Sequence, residues 1–589
     1  MQIIRRDPDV AYLDRHLWAP KRFIDENSVK TALTYEIASA YGEGHTRLLY
    51  LWKEAPHHIL VPRCFWDPGR LPCRVIDCRP RTFTTVDFKS RIRLDHRLKE
   101  VDGKKVLMPT GSNIQQRSLA AMEAAPGGIL QLTCGLGKTV IAIEKIARGR
   151  VPALVMLDNI NLLHQWKNEV EGLLDVPGGI GIFGDGKKEW QRSLVLATYH
   201  SIANWADTIP EEARRWFGQI FWDESHHVPA QLFSKTADMF YGARYGLTAT
   251  PERSDGLHVL SDGHIGPVLI KDLSPLMKPS FGFVWTGLEV NLKDPQVASK
   301  VLDVNGEVHL SKLTSYNGQW PDRVNQILRM VYEAHQIGRM VMVLGNSVAE
   351  IVNLATCWER PGYPLYTDIP MPTPADVGEQ LNPILLQKKD ILKLERRIKA
   401  LQVQLAKAMG QSEAAHIQGD LNQHLQALKQ HEIATKIDNE LSKRQRAYIA
   451  QLVKDTKHVG MLTEAVPTAT RQEFLDKRNI IFAIMKYGKE GMNCPRLDTV
   501  ILSSLFSDPN GLQQLMGRPT RPVPGKKTPI LLAVVDNIGP VIGMARKLMN
   551  HLRTWPIEEG GPYEPILIGF PTSWRTKTKV ATTSNLFGL

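Results

Sequence analysis

The stretch FWDESHHVP, residues 221–229, places two acids and two histidines within five positions. Side chains of these types hold metal ions or exchange protons in catalysis. The histidines are adjacent, so they lack the H-E-x-x-H spacing of a helical zinc site. The apolar and aromatic residues before the acids predict a buried strand that ends at Asp223 and Glu224. The chemistry of this cluster therefore depends on what the rest of the chain places beside the two acids.

A phosphate-binding loop is predicted upstream, in GILQLTCGLGKTVIAIEKIA (128–147). This pattern predicts an apolar strand, a glycine turn and a helix that opens with Lys-Thr. The two glycines let backbone N–H groups approach a phosphate, the lysine would reach the β- and γ-phosphates, and the threonine hydroxyl would hold Mg²⁺. The predicted nucleotide-binding residues are Cys134, Gly135, Leu136, Gly137, Lys138 and Thr139.

The acids at the end of the downstream strand complete this interpretation. Asp223 would hold the Mg²⁺ that bridges the phosphates, as a Walker-B aspartate does. Glu224 would take a proton from the attacking water. His226 would relay between the nucleotide site and the neighbouring domain. The two stretches together predict a site that hydrolyses ATP.

Length and composition limit the class of protein. A chain of 589 residues predicts roughly three or four domains. The sequence has no apolar run of membrane-spanning length and no signal-peptide core at its N-terminus, which predicts a soluble, unexported, cytoplasmic protein. Six scattered cysteines fit a reducing compartment. Zinc binding by Cys64, Cys73 and Cys78 is a weak alternative, because no C-x2-C pair is present.

The net charge of +12 is concentrated in part between residues 63 and 97, where arginines alternate with aromatic residues. Such a surface suits a phosphate backbone and stacked bases. A solvated basic face is the alternative. The predicted nucleic-acid contacts in this region are Arg63, Arg91 and Arg93.

Strand-length apolar runs alternate with helix-length segments from about residue 109, and the pattern returns after 338. This alternation predicts two parallel-sheet domains covered by helices. Within the second of these domains, leucines and isoleucines spaced three and four residues apart predict an inserted antiparallel helical hairpin. The predicted boundaries are a basic N-terminal domain (1–108), a first α/β domain (109–285), a second α/β domain (286–355 and 457–560), the hairpin (356–456) and a tail (561–589).

Motifs in a fixed order resemble the superfamily 2 helicases of the DExH type, close to the phage UvsW-like and XPB-like group. GLGKT resembles motif I, DESHH motif II and YGLTATPERSDG (245–256) motif III. NLLHQWKNEV resembles motif Ia, LATYHSI the next DNA-facing motif, KEGMNCPRLDTVIL motif V and QLMGRPTR (514–521) motif VI. The resemblance implies an α/β fold of two tandem RecA-like domains with a mixed α/β DNA-binding domain before them.

The resemblance also implies residue roles. Gln115 or Gln116 would read the adenine, and Gly491 would line the nucleotide site. Arg518 and Arg521 would be arginine fingers, and Gln514 would place the water or sense the phosphate. The expected coupling residues are Thr248, Ala249 and Thr250, and the expected nucleic-acid track of the first domain is Gln165, Trp166, Thr198 and Tyr199.

The expected function is that of an ATP-dependent DNA helicase or translocase that remodels duplex or branched DNA in replication, recombination or repair. Its expected cofactors are ATP and Mg²⁺, and its expected partner is duplex, forked or branched DNA, with no membrane partner. Other replication or recombination proteins could dock on the hairpin or the tail. The alternatives are an RNA helicase with the same motor and a nucleic-acid-binding scaffold that ATP only switches.

Overall fold

The computed structural model describes most of the chain, in the following ranges. They are 6–38, 46–101, 104–133, 135–224, 230–249, 259–273, 277–302, 306–359, 388–407, 411–489, 494–506, 509–523, 525–554 and 563–571.

The N-terminal module is a small mixed sheet with a separate hairpin. Its elements are β1 (Ala11–Leu13), β2 (His16–Pro20), α1 (Glu26–Ala32), β3 (Thr34–Ala38), β4 (Thr46–Tyr50), β5 (Lys53–Glu54), β6 (His58–Pro62) and β7 (Val75–Asp77), with 3-10 turns at Lys21–Phe23 and Pro68–Arg70. The sheet order is β5-β6-β2-β1-β7, and β3 pairs with β4. Asp25 caps α1 by accepting from the backbone N–H groups of Asn27 and Ser28.

The first α/β domain follows. Its elements are β8 (Lys89–Ser90), β9 (His96–Val101), β10 (Lys104–Pro109), α2 (Ile114–Ala124), β11 (Gly127–Leu132), α3 (Lys138–Gly149), β12 (Ala153–Leu157), α4 (Ile160–Leu173), β13 (Leu174–Asp175), β14 (Ile180–Gly184), β15 (Lys187–Lys188), β16 (Leu194–Thr198), α5 (Tyr199–Trp205), α6 (Glu211–Trp216), β17 (Gln219–Asp223), α7 (Ala230–Ala237), β18 (Ala243–Thr248), α8 (Val259–His264) and β19 (Val268–Asp272). The sheet order is β15-β14-β16-β12-β17-β18-β11-β19, and the strands from β14 to β19 in this order run parallel.

The second α/β domain contains a second parallel sheet. Its elements, with the inserted helices, are β20 (Ser280–Trp285), α9 (Pro295–Val301), α10 (Leu310–Asn317), α11 (Pro321–Gln336), β21 (Val341–Gly345), α12 (Val348–Glu359), α13 (Lys388–Lys407), α14 (Gln411–Asp455), β22 (Val459–Leu462), α15 (Thr468–Lys477), β23 (Ile480–Ile484), α16 (Met485–Lys489), β24 (Thr499–Leu502), α17 (Pro509–Met516), β25 (Ile530–Val535), α18 (Gly539–Thr554) and β26 (Ile566–Ile568). The order β22-β23-β21-β24-β25-β20-β26 is parallel throughout. Two parallel-sheet domains confirm the predicted α/β class.

The N-terminal module and the first domain share one hydrophobic core. Leu17 and Ile59 of the module pack in the same cluster as Leu154, Met156 and Trp222 of the first sheet. The first domain covers the inward faces of β2 and β6. The module therefore packs directly against that domain and is not a separate domain on a linker. The opposite face of the sheet is covered by α2, α3 and α4.

Several domain boundaries in the structure differ from the predicted ones. Val86, Phe88 and Leu94 already pack in the core of the first sheet, ahead of the boundary placed at residue 108. Strand β20 belongs to the second sheet, although the prediction gave residues up to 285 to the first domain. Strand β26, predicted as tail, pairs with β20. Short apolar strands at domain junctions carry no sequence signal for the sheet they will join, which explains these differences.

Helices α13 and α14 pack on one another where the hairpin was predicted. Ile398 and Leu401 of α13 meet Leu421 of α14 in a small apolar cluster. The ends of the insertion lie side by side, because Glu359 Oε1 accepts from the backbone N–H groups of His458 at 2.6 Å and Val459 at 2.9 Å. The described ends of the insertion therefore meet beside β22 of the second sheet.

Candidate ATP-binding site

Three neighbouring strands of the first sheet end at one edge and carry the predicted catalytic motifs there. Asp223 pairs in register with Leu247, and Thr248 pairs with Gln131. The carboxyl end of β17 therefore lies next to that of β18, which lies next to the loop after β11. Ligands of open parallel sheets bind at this edge.

The loop between β11 and α3 has the backbone of a phosphate cradle. Gly135 and Gly137 have φ of 95° and 87°, in the left-handed region that favours glycine. A Cβ on Gly137 would lie 2.4 Å from Nε2 of Gln115, so a side chain there would also displace the Gln115 amide. Helix α3 begins at Lys138, so the backbone N–H groups of its first turn lie at the loop, where a helix N-terminus favours a phosphate.

Lys138 is held over its own loop. Its Nζ donates to the carbonyl oxygen of Leu132 at 2.9 Å. Its charge also lowers the pKa of Asp223, which places the ammonium group near that carboxyl group. The lysine can therefore exchange a carbonyl for a phosphate without leaving the site.

Asp223 is 6% exposed. Burial and the neighbouring Glu224 raise its pKa to about 7, against the effects of a hydrogen bond from Trp166 and of Lys138. The indole Nε1–H of Trp166 donates to Asp223 Oδ2 at 2.7 Å. The hydroxyl of Tyr199 donates to the backbone carbonyl of Asp223 at 3.0 Å. Both contacts were absent from the sequence interpretation, which assigned these aromatic residues to nucleic acid.

Glu224 leaves the strand in a sharp turn. Its φ is 48°, a left-handed conformation that costs a non-glycine residue energy and is found at functional sites. Its backbone N–H donates to the carbonyl of Leu247 at 2.9 Å, which anchors the turn on β18. The turn gives Asp223 and Glu224 different surroundings, as a metal ligand and a general base require.

Of the two glutamines predicted to read adenine, Gln115 contacts the phosphate loop. Its Nε2 donates to the carbonyl of Leu136 at 3.1 Å, and its Oε1 accepts from the backbone N–H of Asp95 at 2.6 Å. Gln116 is exposed, and its backbone N–H donates to Oδ2 of Asp95 at 3.1 Å. The structure thus connects Gln115, rather than Gln116, to the loop.

Thr248 and Ala249 of the predicted coupling motif are buried at the end of β18, beside the two acids. Arg518 and Arg521 lie on the turn after α17 in the second domain, where the N–H of Arg521 donates to the carbonyl of Arg518 at 3.2 Å. Burial raises the pKa of Glu169 on α4, while a hydrogen bond from Gln165 and the charge of Arg521 lower it. Arg521 is therefore within electrostatic range of the first domain.

Gln514 lies within α17, and its backbone position is the only feature described. Cys134, His226, Thr250 and Gly491 lie outside the described residues, so their predicted roles stay predictions.

The structure contradicts direct nucleic-acid contact for three predicted residues. Arg63 is 4% exposed and donates to the carbonyls of Tyr241 at 2.8 Å and Gly242 at 2.9 Å, because it joins the N-terminal module to the first domain. Trp166 and Tyr199 are 1% and 0% exposed and bond to Asp223 instead. Neither the basic stretch around Arg63 nor the motifs that contain Trp166 and Tyr199 indicate from the sequence that these side chains are buried.

The other nucleic-acid candidates are accessible to different degrees. Arg93 and Gln165 are exposed. Arg91 is exposed but already bound, since its guanidinium contacts the carboxylate of Asp175 and donates to the carbonyl of Glu171 at 2.7 Å. Thr198 caps α5 by accepting from the N–H of Ser201 at 3.3 Å.

The donor set fits Mg²⁺ held jointly with a nucleotide. Within the described residues no three His, Cys, Asp or Glu side chains gather as a metal cage. Asp223 supplies a buried carboxylate and Thr139 a hydroxyl at the start of α3. Mg²⁺ keeps waters and substrate phosphates as its other ligands, so a sparse protein shell of hard oxygens suits it.

The cysteines and the apolar character of the helices bear on two further expectations, a reducing compartment and the absence of a membrane span. Cys64, Cys73, Cys78, Cys357 and Cys494 are all free thiols. No helix among the described residues has the length and apolar character needed to cross a membrane.

Comparison with known proteins places the similarity in the first domain. The family described as "Type III restriction enzyme, res subunit" matches residues 105–253. The DNA 3'-5' translocase XPB2 of Sulfurisphaera tokodaii is 36% identical over 146 residues, which are 24% of this chain and 31% of that protein. The DNA 3'-5' helicase XPB of Mycobacterium tuberculosis is 34% identical over 139 residues, 23% of this chain and 25% of that protein. The aligned part is thus a third or less of each relative.

Among solved structures, the ATP-dependent Type ISP restriction-modification enzyme LlaBIII bound to DNA aligns with a TM-score of 0.43 and 12% identity, over 80% of this chain and 32% of that one. The family match covers the phosphate loop, Asp223 at the end of β17 with Glu224 after it, and the strand end at Thr248. The similarity to known proteins thus falls on the residues that form the candidate ATP-binding site.

Proposed function

We propose that this protein is an ATP-dependent DNA helicase or translocase, which couples ATP hydrolysis to movement on duplex or branched DNA. The observation that carries the proposal is the meeting of Lys138, Asp223 and Glu224 at one sheet edge. Asp223 pairs in register with β18, and the charge of Lys138 acts on its carboxyl group. A phosphate cation, a buried acid and a second acid turned out of the strand are the parts that nucleotide hydrolysis requires.

Each side chain has a role in the proposed reaction. Lys138 releases the carbonyl of Leu132 and binds the β- and γ-phosphates. Asp223 and Thr139 would hold Mg²⁺, which would supply neutralising charge at the phosphates. Glu224 takes the proton of the attacking water, and Arg518 and Arg521 approach the γ-phosphate from the second domain.

Movement would follow from closure of the cleft between the two domains. ATP favours the closed arrangement through contacts with both domains, and hydrolysis removes those contacts. Nucleic acid held by its backbone across both domains would advance with each cycle, independently of sequence.

The relatives support DNA as the substrate, since their names state a DNA 3'-5' translocase and a DNA 3'-5' helicase. The XPB-like branch is the assignment we favour within the superfamily. Branch migration and other remodelling of junctions, as in the UvsW-like group, is the finer proposal. It assigns the hairpin of α13 and α14 to a junction or to a protein partner, and the C-terminal tail to a further docking site.

The proposal is tested by measuring ATP hydrolysis with single-stranded, duplex, forked and four-way DNA, and with RNA of matched length. We expect stimulation by DNA that is largest for duplex or branched forms. Equal or greater stimulation by RNA would favour the RNA helicase. ATP binding without turnover under any condition would favour a scaffold that ATP only switches.

A further inference from the structure

Two aromatic side chains hold the acid that is assigned to Mg²⁺. Trp166 donates from its indole N–H to Oδ2 of Asp223 at 2.7 Å, and Tyr199 donates from its hydroxyl to the Asp223 backbone carbonyl at 3.0 Å. Both side chains are almost completely buried, at 1% and 0% exposure. The side chain and the main chain of one residue are therefore fixed from two different helices.

These two helices begin at the same edge of the sheet as the site. Helix α4 follows β12, and its N-cap Asn159 accepts from the N–H of Leu162 at 3.0 Å. Helix α5 follows β16, with Thr198 as its N-cap. Strand β12 lies between β16 and β17, so both helices start beside the end of β17.

The same helix α4 has an accessible face. His164 and Gln165 are exposed, and they directly precede the buried Trp166 in the chain. A displacement of α4 by a ligand on that face would move the indole that is bonded to Asp223. Adjacent residues of α4 thus face the exposed surface, through Gln165, and the carboxylate assigned to Mg²⁺, through Trp166.

We propose that Trp166 is a positioning residue for Asp223, and that α4 transmits nucleic-acid binding to the Mg²⁺ site through this hydrogen bond. The inference rests on the proposed function and extends it, because it names the contact that connects the two ligands. Tyr199 fixes the backbone of the same acid from α5.

The hydrogen bond matters for metal binding because an unrestrained carboxylate group can rotate. A hydrogen bond to Oδ2 restricts rotation of the group, so that the acid presents one orientation to a metal. Partners behind a metal ligand orient it, and their loss typically costs about 10- to 100-fold in metal affinity or activity. Because of this bond, a shift of α4 would also change the orientation of the Asp223 carboxylate and thereby the affinity for the metal.

The test compares Trp166→Phe with Trp18→Phe. The control removes the same kind of bond, since the Trp18 indole donates to Oδ2 of Asp14 at 2.9 Å in the N-terminal module. Binding of a fluorescent ADP analogue is titrated for the full chain, once in EDTA and once with Mg²⁺. Binding in EDTA reports whether the nucleotide site is folded, and the gain with Mg²⁺ reports the metal.

We expect Trp166→Phe to bind the analogue normally in EDTA and to lose about 10- to 100-fold of the Mg²⁺-dependent affinity. The ratio of ATPase rates with and without DNA should also fall towards one. Trp18→Phe should match the wild type in both measurements. If Trp166→Phe keeps the full gain with Mg²⁺, the positioning role is wrong.

A second pair protects the test against poor folding of the first variant. Tyr199→Phe removes the hydroxyl on the Asp223 carbonyl, and Tyr245→Phe removes a comparable buried bond to the carbonyl of Met122 at 3.2 Å. We expect the Mg²⁺-dependent gain to fall for Tyr199→Phe alone. Equal behaviour of the two variants would contradict the inference. A wild type that gains no affinity with Mg²⁺, or that never hydrolyses ATP, would instead reject the proposed function.

Discussion

The guanidinium of Arg63 donates to the carbonyl oxygen of Tyr241 across the boundary between the N-terminal module and the first α/β domain, at 2.8 Å. A second bond reaches Gly242 at 2.9 Å. Burial and the nearby Arg244 lower the pKa of Arg63. Since both partners are backbone carbonyls of the first domain, this arginine holds the N-terminal module and that domain together.

Arg63 and Arg93 were both predicted from the sequence to contact nucleic acid, and the structure predicts different effects when each is replaced. Arg63→Gln should lower the melting temperature, because removing a buried side chain leaves two carbonyls without partners. Arg93→Gln, at an exposed position, should leave the melting temperature unchanged and weaken DNA binding for all sequences equally. The salt dependence of binding should flatten by roughly one ion for Arg93→Gln. Thermal melting and salt titrations of duplex binding check both variants, and a reversed pattern would place Arg63 on the DNA surface.

Lys138→Ala should weaken ATP binding and abolish turnover, because it removes the cation that lies over the phosphate loop. The matched control is Lys145→Ala on the same helix α3, whose ammonium group lies 5.4 Å from the ring centroid of Tyr245. Nucleotide titration and steady-state hydrolysis measure both effects. Normal ATP affinity in the Lys138 variant would show that the loop does not bind the phosphates.

Arg518→Ala and Arg521→Ala should retain ATP binding by the first domain and lower kcat by ~10³ or more, the scale of a lost arginine finger. Arg329→Ala is a suitable control on the second domain, since this side chain is 77% exposed and pairs only with Glu333 on its own helix among the contacts described. A variant that loses binding but keeps kcat is not a finger.

Excision of the hairpin tests its assignment to junctions. The backbone of His458 and Val459 bonds to Glu359, so a short linker can replace the insertion between them without stretching the second sheet. We expect ATPase stimulation by duplex DNA to survive and unwinding of forked or four-way DNA to be lost. Unchanged unwinding of four-way DNA would leave the hairpin as a docking site for a protein partner.

The sequence predicted the local structure of the site correctly at positions where a residue type is required by the backbone conformation as well as by the chemistry. Gly135 and Gly137 were predicted to line a phosphate loop, and the structure gives both a positive φ that side chains rarely adopt. The end of β17 at Asp223 and the two parallel sheets also followed from apolar runs of strand length.

Side-chain direction was beyond sequence reasoning. Trp166 and Tyr199 belong to motifs that face DNA in the resembling family, yet both rings turn inwards to Asp223. Arg63 belongs to a basic stretch, yet it is buried where the N-terminal module meets the first domain. Such outcomes depend on long-range packing, which local patterns do not encode.

The central claim is that Glu224 is the general base of an ATPase whose metal is held by Asp223. The most direct measurement is single-turnover ATP hydrolysis by Glu224→Gln, with nucleotide and DNA affinities measured on the same protein. Because the amide cannot accept the proton of water, while Asp223, Thr139 and Lys138 are unchanged, we expect normal Mg²⁺-dependent ATP binding, tight DNA binding and a loss of the chemical step. Hydrolysis at the wild-type rate in the Glu224→Gln variant would contradict the account.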